Sequence, residues 1–114
     1  MDDATPVFVL DELELRPGML AGFRDALARE YVPGAEASGM QLLHTWVTPP
    51  VELATGGTRV VLVWRLEGPE GFWRMRAQRD EAAVEAWWRS CERFATSRTR
   101  RFAADADALE ALKG

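Results

Sequence analysis

The chain has 114 residues, a mass of 12.8 kDa and a formal net charge of −4 at pH 7. That length supports one hydrophobic core, so we expect a single domain over residues 1–114. With 47% hydrophobic and 28% charged residues, the composition excludes a disordered tail. One cysteine and one histidine exclude an internal disulfide, a Cys cluster and a multi-His zinc site, so no metal is predicted.

Location and large partners follow from the same sequence. No run approaches the roughly 20 apolar residues of a membrane span, and the acidic start Met1-Asp2-Asp3 is unlike a signal peptide. We therefore expect a cytoplasmic protein with no membrane partner. Residues 58–104 hold ten Arg, but acidic residues alternate with them at helical spacings. This pattern indicates a solvated helix face, so no nucleic-acid partner is predicted.

The first third of the chain predicts a strand followed by a helix. Residues 6–15 are rich in β-formers and predict the strand. Pro17 suits the first turn of a helix, and Pro33-Gly34 is expected to end it. The apolar stripe of this helix consists of Leu20, Phe23, Leu27 and Tyr31.

The middle of the chain predicts two more strands. Residues 39–48 form the second strand, which stops at Pro49-Pro50 because proline lacks the ladder donor. A turn at Thr55-Gly56-Gly57 leads to the third strand over residues 59–66. The first and third strands are apolar on both faces, which predicts that both faces are covered.

The last part predicts helices and one more short strand. Residues 70–79 form a short helix, and Asp80 caps the next one. Residues 98–103 suit a short fourth strand, and Asp105 begins a small C-terminal helix over residues 105–112. The apolar stripe of the longer helix consists of Val84, Trp87, Trp88, Cys91, Phe94 and Ala95.

The order βαββα(β) predicts an α+β, ferredoxin-like antiparallel sheet with its helices on one face. The core of this domain covers about residues 6–103. Because the other sheet face is also apolar, we expect a second copy of the chain to cover it. Two sheets that pair in this way make a homodimeric α+β barrel with a cavity for a small molecule.

Four stretches resemble a known family. They are Val7-Phe8-Val9-Leu10 with Leu13-Glu14-Leu15-Arg16-Pro17-Gly18, Leu42-Leu43-x-x-Trp46-x-Thr48, Val60-Val61-Leu62-Val63-Trp64, and the helical stretch from Arg74 to Phe94. In this order the sequence resembles the NIPSNAP family, within the dimeric α+β barrel superfamily. The resemblance implies a homodimeric barrel with a small-molecule cavity. Related barrels include cofactor-independent monooxygenases, polyketide cyclases and haem-handling enzymes.

The assignment of sheet faces decides which residues reach that cavity. On the first strand we give Phe8 and Leu10 to the helices and the odd-numbered positions, Asp11 among them, to the cavity. On the third strand the even-numbered positions face the helices. On the second strand the even-numbered positions face the cavity. The predicted cavity residues that bind substrate are Arg59, Arg65, Trp46, Met40, Leu42, Val61, Val63, Leu13 and, from the helix above, Trp73.

His44 and Asp11 are the predicted catalytic residues. Histidine exchanges protons near neutral pH, and an adjacent carboxylate would orient its ring. Arg59 or Arg65 would hold a developing oxyanion. Simpler interpretations stay open: His44 is a packed strand residue, and Asp11 forms an ion pair with Arg59 or Arg65.

The sequence therefore leads to three main hypotheses about function, and nucleic-acid binding is a fourth that would require a compact arginine stripe on one exposed face. The first is an enzyme of bacterial secondary metabolism that performs cofactor-free acid/base chemistry, as a cyclase or isomerase of polyketide-like or aromatic substrates. The second is a cofactor-independent monooxygenase. The third is a non-catalytic ligand-binding or scaffold protein, which an Asp11 locked to an arginine would favour. No nucleotide-binding or metal motif is present in the sequence, so no cofactor is predicted.

Overall fold

A computed structural model describes residues 5–53, 55–78 and 80–112. The acidic start Met1-Asp2-Asp3 and position 79, the predicted end of a helix, lie outside these residues. Within them, the strands are β1 (Val7–Leu15), β2 (Gln41–Thr48), β3 (Thr58–Leu66) and β4 (Ala95–Ala103). The α-helices of the same residues are α1 (Leu20–Ala26), α2 (Val32–Ala37), α3 (Gly68–Gln78), α4 (Glu81–Ser90) and α5 (Leu109–Leu112).

The described strands form one antiparallel sheet in the order β2-β3-β1-β4. β1 and β3 therefore lie in the centre, and β2 and β4 are the edges. This is the predicted ferredoxin-like arrangement, and it is confirmed. The pairing of two such sheets stays a prediction. In the part of the chain that the structure describes, no helix is long and apolar enough to cross a bilayer.

One sheet face packs against the helices, and we call it the helix face. It carries the even-numbered side chains of β3, which are all fully buried, as predicted. Phe23 of α1, Met75 of α3 and Trp87 of α4 cover them from the helix layer. The opposite face, which we call the open face, contributes none of the described side chains of the hydrophobic core cluster. The hydrophobic core of the chain therefore lies between the helix face and the helices.

The first helical region differs from the prediction at both ends. Gly18 has φ of +77°, a left-handed conformation that a helix cannot include, so α1 begins at Leu20 and not at Pro17. A π-helical turn (Leu27–Tyr31) follows α1. The helix then restarts, and Pro33 lies in the first turn of α2, where its missing N–H costs nothing. Pro33-Gly34 therefore begins α2 instead of ending the helix.

The π turn keeps the apolar stripe pointing inward. Residues spaced four apart drift around a helix that has 3.6 residues per turn. The wider π turn corrects this drift. As a result Phe23, Leu27, Tyr31 and Ala35 are all buried. The predicted packing of Tyr31 is confirmed.

The C-terminal part is more extended than predicted. β4 begins at Ala95 and has nine residues, whereas the sequence predicted residues 98–103. It pairs with β1 along most of its length, so the ladder, not local propensity, sets its length. The two predicted caps are confirmed: the Asp80 carboxylate accepts from Ala83 N at 3.1 Å, and Asp105 accepts from Asp107 N at 2.8 Å.

Candidate functional site

The predicted faces of β1 are reversed in the structure. Asp11 lies opposite Leu62 and Leu13 lies opposite Val60, both on the helix face. The two β1 side chains are 1% and 0% exposed. Asp11 and Leu13 are therefore not residues of an open-face cavity, and that prediction is wrong. Because β1 has apolar residues on both faces, its sequence does not show which positions face the helices. The pairing of β1 with β3 determines this.

A β-bulge in β2 splits the predicted cavity residues of that strand. The pairing with β3 shifts between Leu42 and His44, so Leu43 has no partner of its own. Leu42 lies opposite Trp64 on the helix face, and the preceding Met40 is buried in the helix-side core. The assignment of Met40 and Leu42 to the open face is wrong, because the extra residue inverts the alternation before it.

After the bulge the prediction for β2 is correct. His44 lies opposite Val63, and Trp46 opposite Val61, both on the open face. The His44 and Trp46 rings stack with centroids 4.9 Å apart and an angle of 14°. Trp46 is 56% exposed. His44 and Asp11 therefore lie on opposite faces of the sheet, and the predicted catalytic pair does not form.

The remaining predicted substrate residues do not converge on one cavity. Arg59 binds Glu14 at 2.5 Å across the open face, and Arg65 lies 3.4 Å from Glu67. Val61 and Val63 lie between these arginines on β3, on the predicted face. Trp73 projects from α3, is 66% exposed and contacts Phe72. A cavity on the open face would need a second copy to close it.

A buried polar network occupies the helix face instead. Arg100 of β4 donates to Asp11 from Nε to Oδ1 at 2.6 Å and from Nη2 to Oδ2 at 2.9 Å. Trp64 Nε1 donates to Asp11 Oδ2 at 2.9 Å. Asp11 therefore forms an ion pair, as one interpretation held, but its partner is Arg100 rather than Arg59 or Arg65.

This network stabilises the charged form of Arg100. Burial acts to lower the pKa of its guanidinium, but the hydrogen bond and charge of Asp11 outweigh burial and raise that pKa above the ordinary arginine value. Sequence reasoning missed Arg100 because three arginines stand within four residues of β4. The register of the β1–β4 pairing places Arg100 opposite Asp11, and this pairing distinguishes Arg100 from the neighbouring arginines.

Tyr31 extends the network into the helix layer. Its hydroxyl accepts from Arg100 Nη2 at 3.2 Å. Its ring stacks on Trp87, with centroids 5.4 Å apart and an angle of 11°, and meets Trp64 edge-on at 5.7 Å. The Arg100 guanidinium lies 5.2 Å from the centre of the Trp88 ring. Aromatic rings therefore pack against the Arg100 and Tyr31 part of the polar network.

A pocket of about 260 Å³ opens beside this network, and we call it the helix-side pocket. Its buried and partly buried lining includes Tyr31, Ala35, Ser38, Met40, Met75, Val84 and Arg100. Its mouth carries Glu30, Gln78, Asp80 and Ala83. An apolar wall with a few fixed polar groups is the usual form of a ligand site. The π turn that positions Tyr31 is also a feature found at functional sites.

A second hollow of about 370 Å³ lies between the end of α4 and the start of β4. It is more open to solvent than the helix-side pocket, and its lining carries both acidic and basic side chains, such as Glu85 and Arg89. Cys91 contributes to it, but burial raises the pKa of this thiol to about 12, so it is a poor nucleophile. The helix-side pocket is the better candidate site.

The groups of the helix-side pocket suit binding better than reaction. Both Asp11 oxygens accept hydrogen bonds, and the Arg100 charge is compensated. Histidine is the usual acid/base group near neutral pH, and His44 is on the other face. Across residues 5–53, 55–78 and 80–112, no three His, Cys, Asp or Glu side chains are grouped in a way that could hold a metal ion.

Comparison with known proteins identifies the fold. A NIPSNAP family protein from Agrobacterium tumefaciens has a TM-score of 0.64 and 14% identity, over 90% of this chain and 87% of that one. A NIPSNAP domain protein from Burkholderia xenovorans has a TM-score of 0.65 and 14% identity, over 88% of this chain and 94% of that one. This chain has the NIPSNAP fold.

The resemblance predicted from sequence is therefore confirmed for the fold. A NIPSNAP-like domain protein from Burkholderia xenovorans is similar as well, with a TM-score of 0.64 and 17% identity over 90% of this chain and 86% of that one. No protein-family model matches the sequence, and no curated protein does. At these identities the NIPSNAP likeness carries the fold and not an activity.

The prediction of an acid/base enzyme is wrong. The two Burkholderia proteins are described as uncharacterized, and a second Agrobacterium NIPSNAP protein as having unknown function, so these relatives indicate no catalysis. The geometry agrees, because the predicted pair of His44 and Asp11 is divided by the sheet. Neither these relatives nor this site supports a cyclase, an isomerase or a monooxygenase, or a role in biosynthesis or secondary metabolism.

Proposed function

We propose that this chain is a non-catalytic protein that binds a small molecule in the helix-side pocket. The observation that carries the proposal is the pocket itself, in which a mostly apolar wall is combined with Arg100 and Tyr31. Such a combination suits recognition of an apolar body with one polar group. The proposed location is the cytoplasm, where the free and buried Cys91 needs no oxidising environment.

The rigidity of the polar groups supports binding as the function. Arg100 is fixed by two hydrogen bonds to Asp11 and by one to Tyr31. A ligand that meets fixed groups loses less free energy to ordering side chains. Met40 and Met75, which also line the pocket, are adaptable in shape, so they can fit a ligand of irregular outline.

Two neighbouring alanines of α4 give a matched test. Ala82 and Ala83 are both exposed, but only Ala83 lines the helix-side pocket. We expect Ala83→Phe to block the pocket and Ala82→Phe to leave it open. Saturation-transfer NMR with a mixture of neutral single-ring compounds measures the effect. The expected result is binding by the wild type and Ala82→Phe, and its loss in Ala83→Phe.

Two outcomes would overturn the proposal of a binding protein. One is that no compound of the mixture binds the wild-type protein. The other is that Ala83→Phe binds these compounds as well as Ala82→Phe does. Circular dichroism of both variants checks that they fold, and an exposed helical position tolerates phenylalanine with a loss of about 0.5 kcal/mol.

We also propose that two copies of the chain pair through their open faces as a homodimer. The support is an apolar centre, formed by the partly buried Phe8, Leu10 and Val61, beside the exposed Trp46. An exposed apolar patch with charged neighbours is typical of an interaction surface. The pair would be symmetric, because each copy presents the same face.

Two exposed tryptophans test this pairing. Trp46 on the open face is 56% exposed, and Trp73 on α3 is 66% exposed. We expect Trp46→Glu to place a charge in the interface and to yield a monomer, while Trp73→Glu remains a dimer. Analytical ultracentrifugation measures the mass. A monomeric wild type, or equal effects of the two variants, would contradict the pairing.

A further inference from the structure

The polar groups of the helix-side pocket define the chemistry of its ligand. Arg100 uses Nε and Nη2 toward Asp11 and Tyr31. Among the described residues, Arg100 Nη1 and the Tyr31 hydroxyl proton have no acceptor in this network. The buried Ser38 hydroxyl of the same lining already donates to Ala35 O at 2.8 Å. Arg100 and Tyr31 therefore offer the donors that are still unused, and a ligand must supply an acceptor oxygen to satisfy them.

The charges around the pocket favour a neutral acceptor over an anionic one. Asp11 already neutralises Arg100 at 2.6 Å. At the mouth stand the carboxylates of Glu30, which binds Arg93 at 2.8 Å, and Asp80, which caps α4. Of the described residues that line the pocket, Arg100 is the one cation. A carboxylate ligand would thus lose its hydration without gaining an uncompensated positive charge.

The volume limits the apolar part of the ligand. An apolar cavity of about 150 Å³ is known to hold benzene, and drug-sized ligands occupy pockets of roughly 300 Å³ or more. The helix-side pocket has about 260 Å³. It accommodates one ring with a short substituent, or a branched chain of equal size. Met40 and Met75 supply polarisable contacts to such a ring.

We propose that the helix-side pocket takes a neutral single-ring or branched compound with one carbonyl oxygen, which accepts from Arg100 and Tyr31. This inference rests on the proposed function, because it names the ligand class of the same pocket. A buried arginine by itself would suggest a site for carboxylic acids. The proposed ligand differs from these because it is neutral.

Three probes of equal ring size separate these possibilities. Acetophenone carries a neutral carbonyl, benzoate carries a charged carboxylate, and ethylbenzene carries no acceptor. We expect acetophenone to bind the wild type about tenfold more tightly than either of the others. The measurement is the dissociation constant from ¹H–¹⁵N NMR titration, with Ala82→Phe as a binding control and Ala83→Phe as a blocked control.

Asp11→Asn provides a second test, in which the affinity for benzoate is expected to rise. The amide keeps an oxygen for Trp64 Nε1 but removes the charge that neutralises Arg100. In this variant we expect benzoate to gain about tenfold in affinity, because it then meets an uncompensated guanidinium. The wild-type comparison stands by itself if Asp11→Asn does not fold.

The outcomes separate this inference from the proposed function. If no probe binds the wild type, or if Ala83→Phe changes nothing, the proposed function is overturned together with the ligand class. If probes bind in the pocket but benzoate or ethylbenzene equals acetophenone, the ligand class is overturned and the proposed function stands. Tighter binding of acetophenone, with a gain for benzoate in Asp11→Asn, supports both.

Discussion

The helix face and the open face are built from alternate residues of the same strands, yet they carry different kinds of polar group. On the helix face, Asp11 is 1% exposed and is held by Arg100 and Trp64. On the open face, Arg59 and Glu14 form an ion pair that is half-exposed. Breaking a polar contact on the helix face costs much free energy because its groups are buried. Breaking one on the open face costs little because water solvates the separated groups.

The comparison also separates two roles of the apolar side chains. On the helix face they fill a core and line a pocket beside a fixed cation. On the open face, the partly exposed Leu10 and Val61 and the stacked His44 and Trp46 form a surface of the described part of the chain. The helix face is therefore suited to a small ligand, and the open face to another protein surface.

The largest expected effect comes from breaking the buried ion pair. Arg100→Met leaves the Asp11 carboxylate buried without its cation, so we expect a loss of about 3 kcal/mol or more in the free energy of unfolding. Urea denaturation measures this. Arg59→Met on the open face is the matched control, with an expected loss under about 1 kcal/mol.

A double variant sharpens that result. Asp11→Leu together with Arg100→Met removes both charges, and it should recover much of the stability lost in Arg100→Met. Equal losses for Arg100→Met and Arg59→Met would contradict the contrast between the two faces.

Two tryptophans give an intermediate effect. Trp64→Phe removes the donor to Asp11 and part of a fully buried side chain, and we expect a loss of about 2 kcal/mol. Trp46→Phe, on the open face, should change stability by less than about 0.5 kcal/mol in dilute protein. If Trp46→Phe cost as much as Trp64→Phe in dilute protein, the open face would not be the exposed one.

The smallest effect concerns Cys91 in the helix-side core. Its folded pKa of about 12 lies above the ordinary value of 9.0, because burial disfavours the thiolate. Between these values the unfolded chain loses the proton first, so rising pH favours unfolding. We expect a loss of at most about 1.4 kcal/mol between pH 9 and pH 10. In Cys91→Ala this part of the pH dependence is absent. Urea titrations at several pH values measure the free energy of unfolding of both proteins, and the same change with pH in the wild type and in Cys91→Ala would contradict the prediction.

Most of the architecture could be predicted from the sequence. Periodicity and caps placed the elements, and the order βαββα(β) gave the ferredoxin-like sheet. Helix ends were less predictable, since a π turn follows α1 at Leu27–Tyr31 and the helix restarts at Val32. The reach of β4 was also underestimated, because its first residues pair with β1 despite their polarity.

The candidate site was far less predictable, for two physical reasons. β1 is apolar on both faces, so alternation could not tell which side Asp11 takes. In β2, the bulge at Leu43 separates Met40 and Leu42 from His44 and Trp46. No pattern in the sequence marks that bulge, and none distinguishes Arg100 from the neighbouring arginines before the β1–β4 register is known.

The most direct test of the account is a map of where small neutral ligands bind. A ¹H–¹⁵N NMR titration with neutral single-ring compounds reports on every backbone amide. If the ligand binds in the helix-side pocket, the amides of Met40, Met75 and Val84 shift. Shifts confined to His44 and Trp46 on the open face would contradict it.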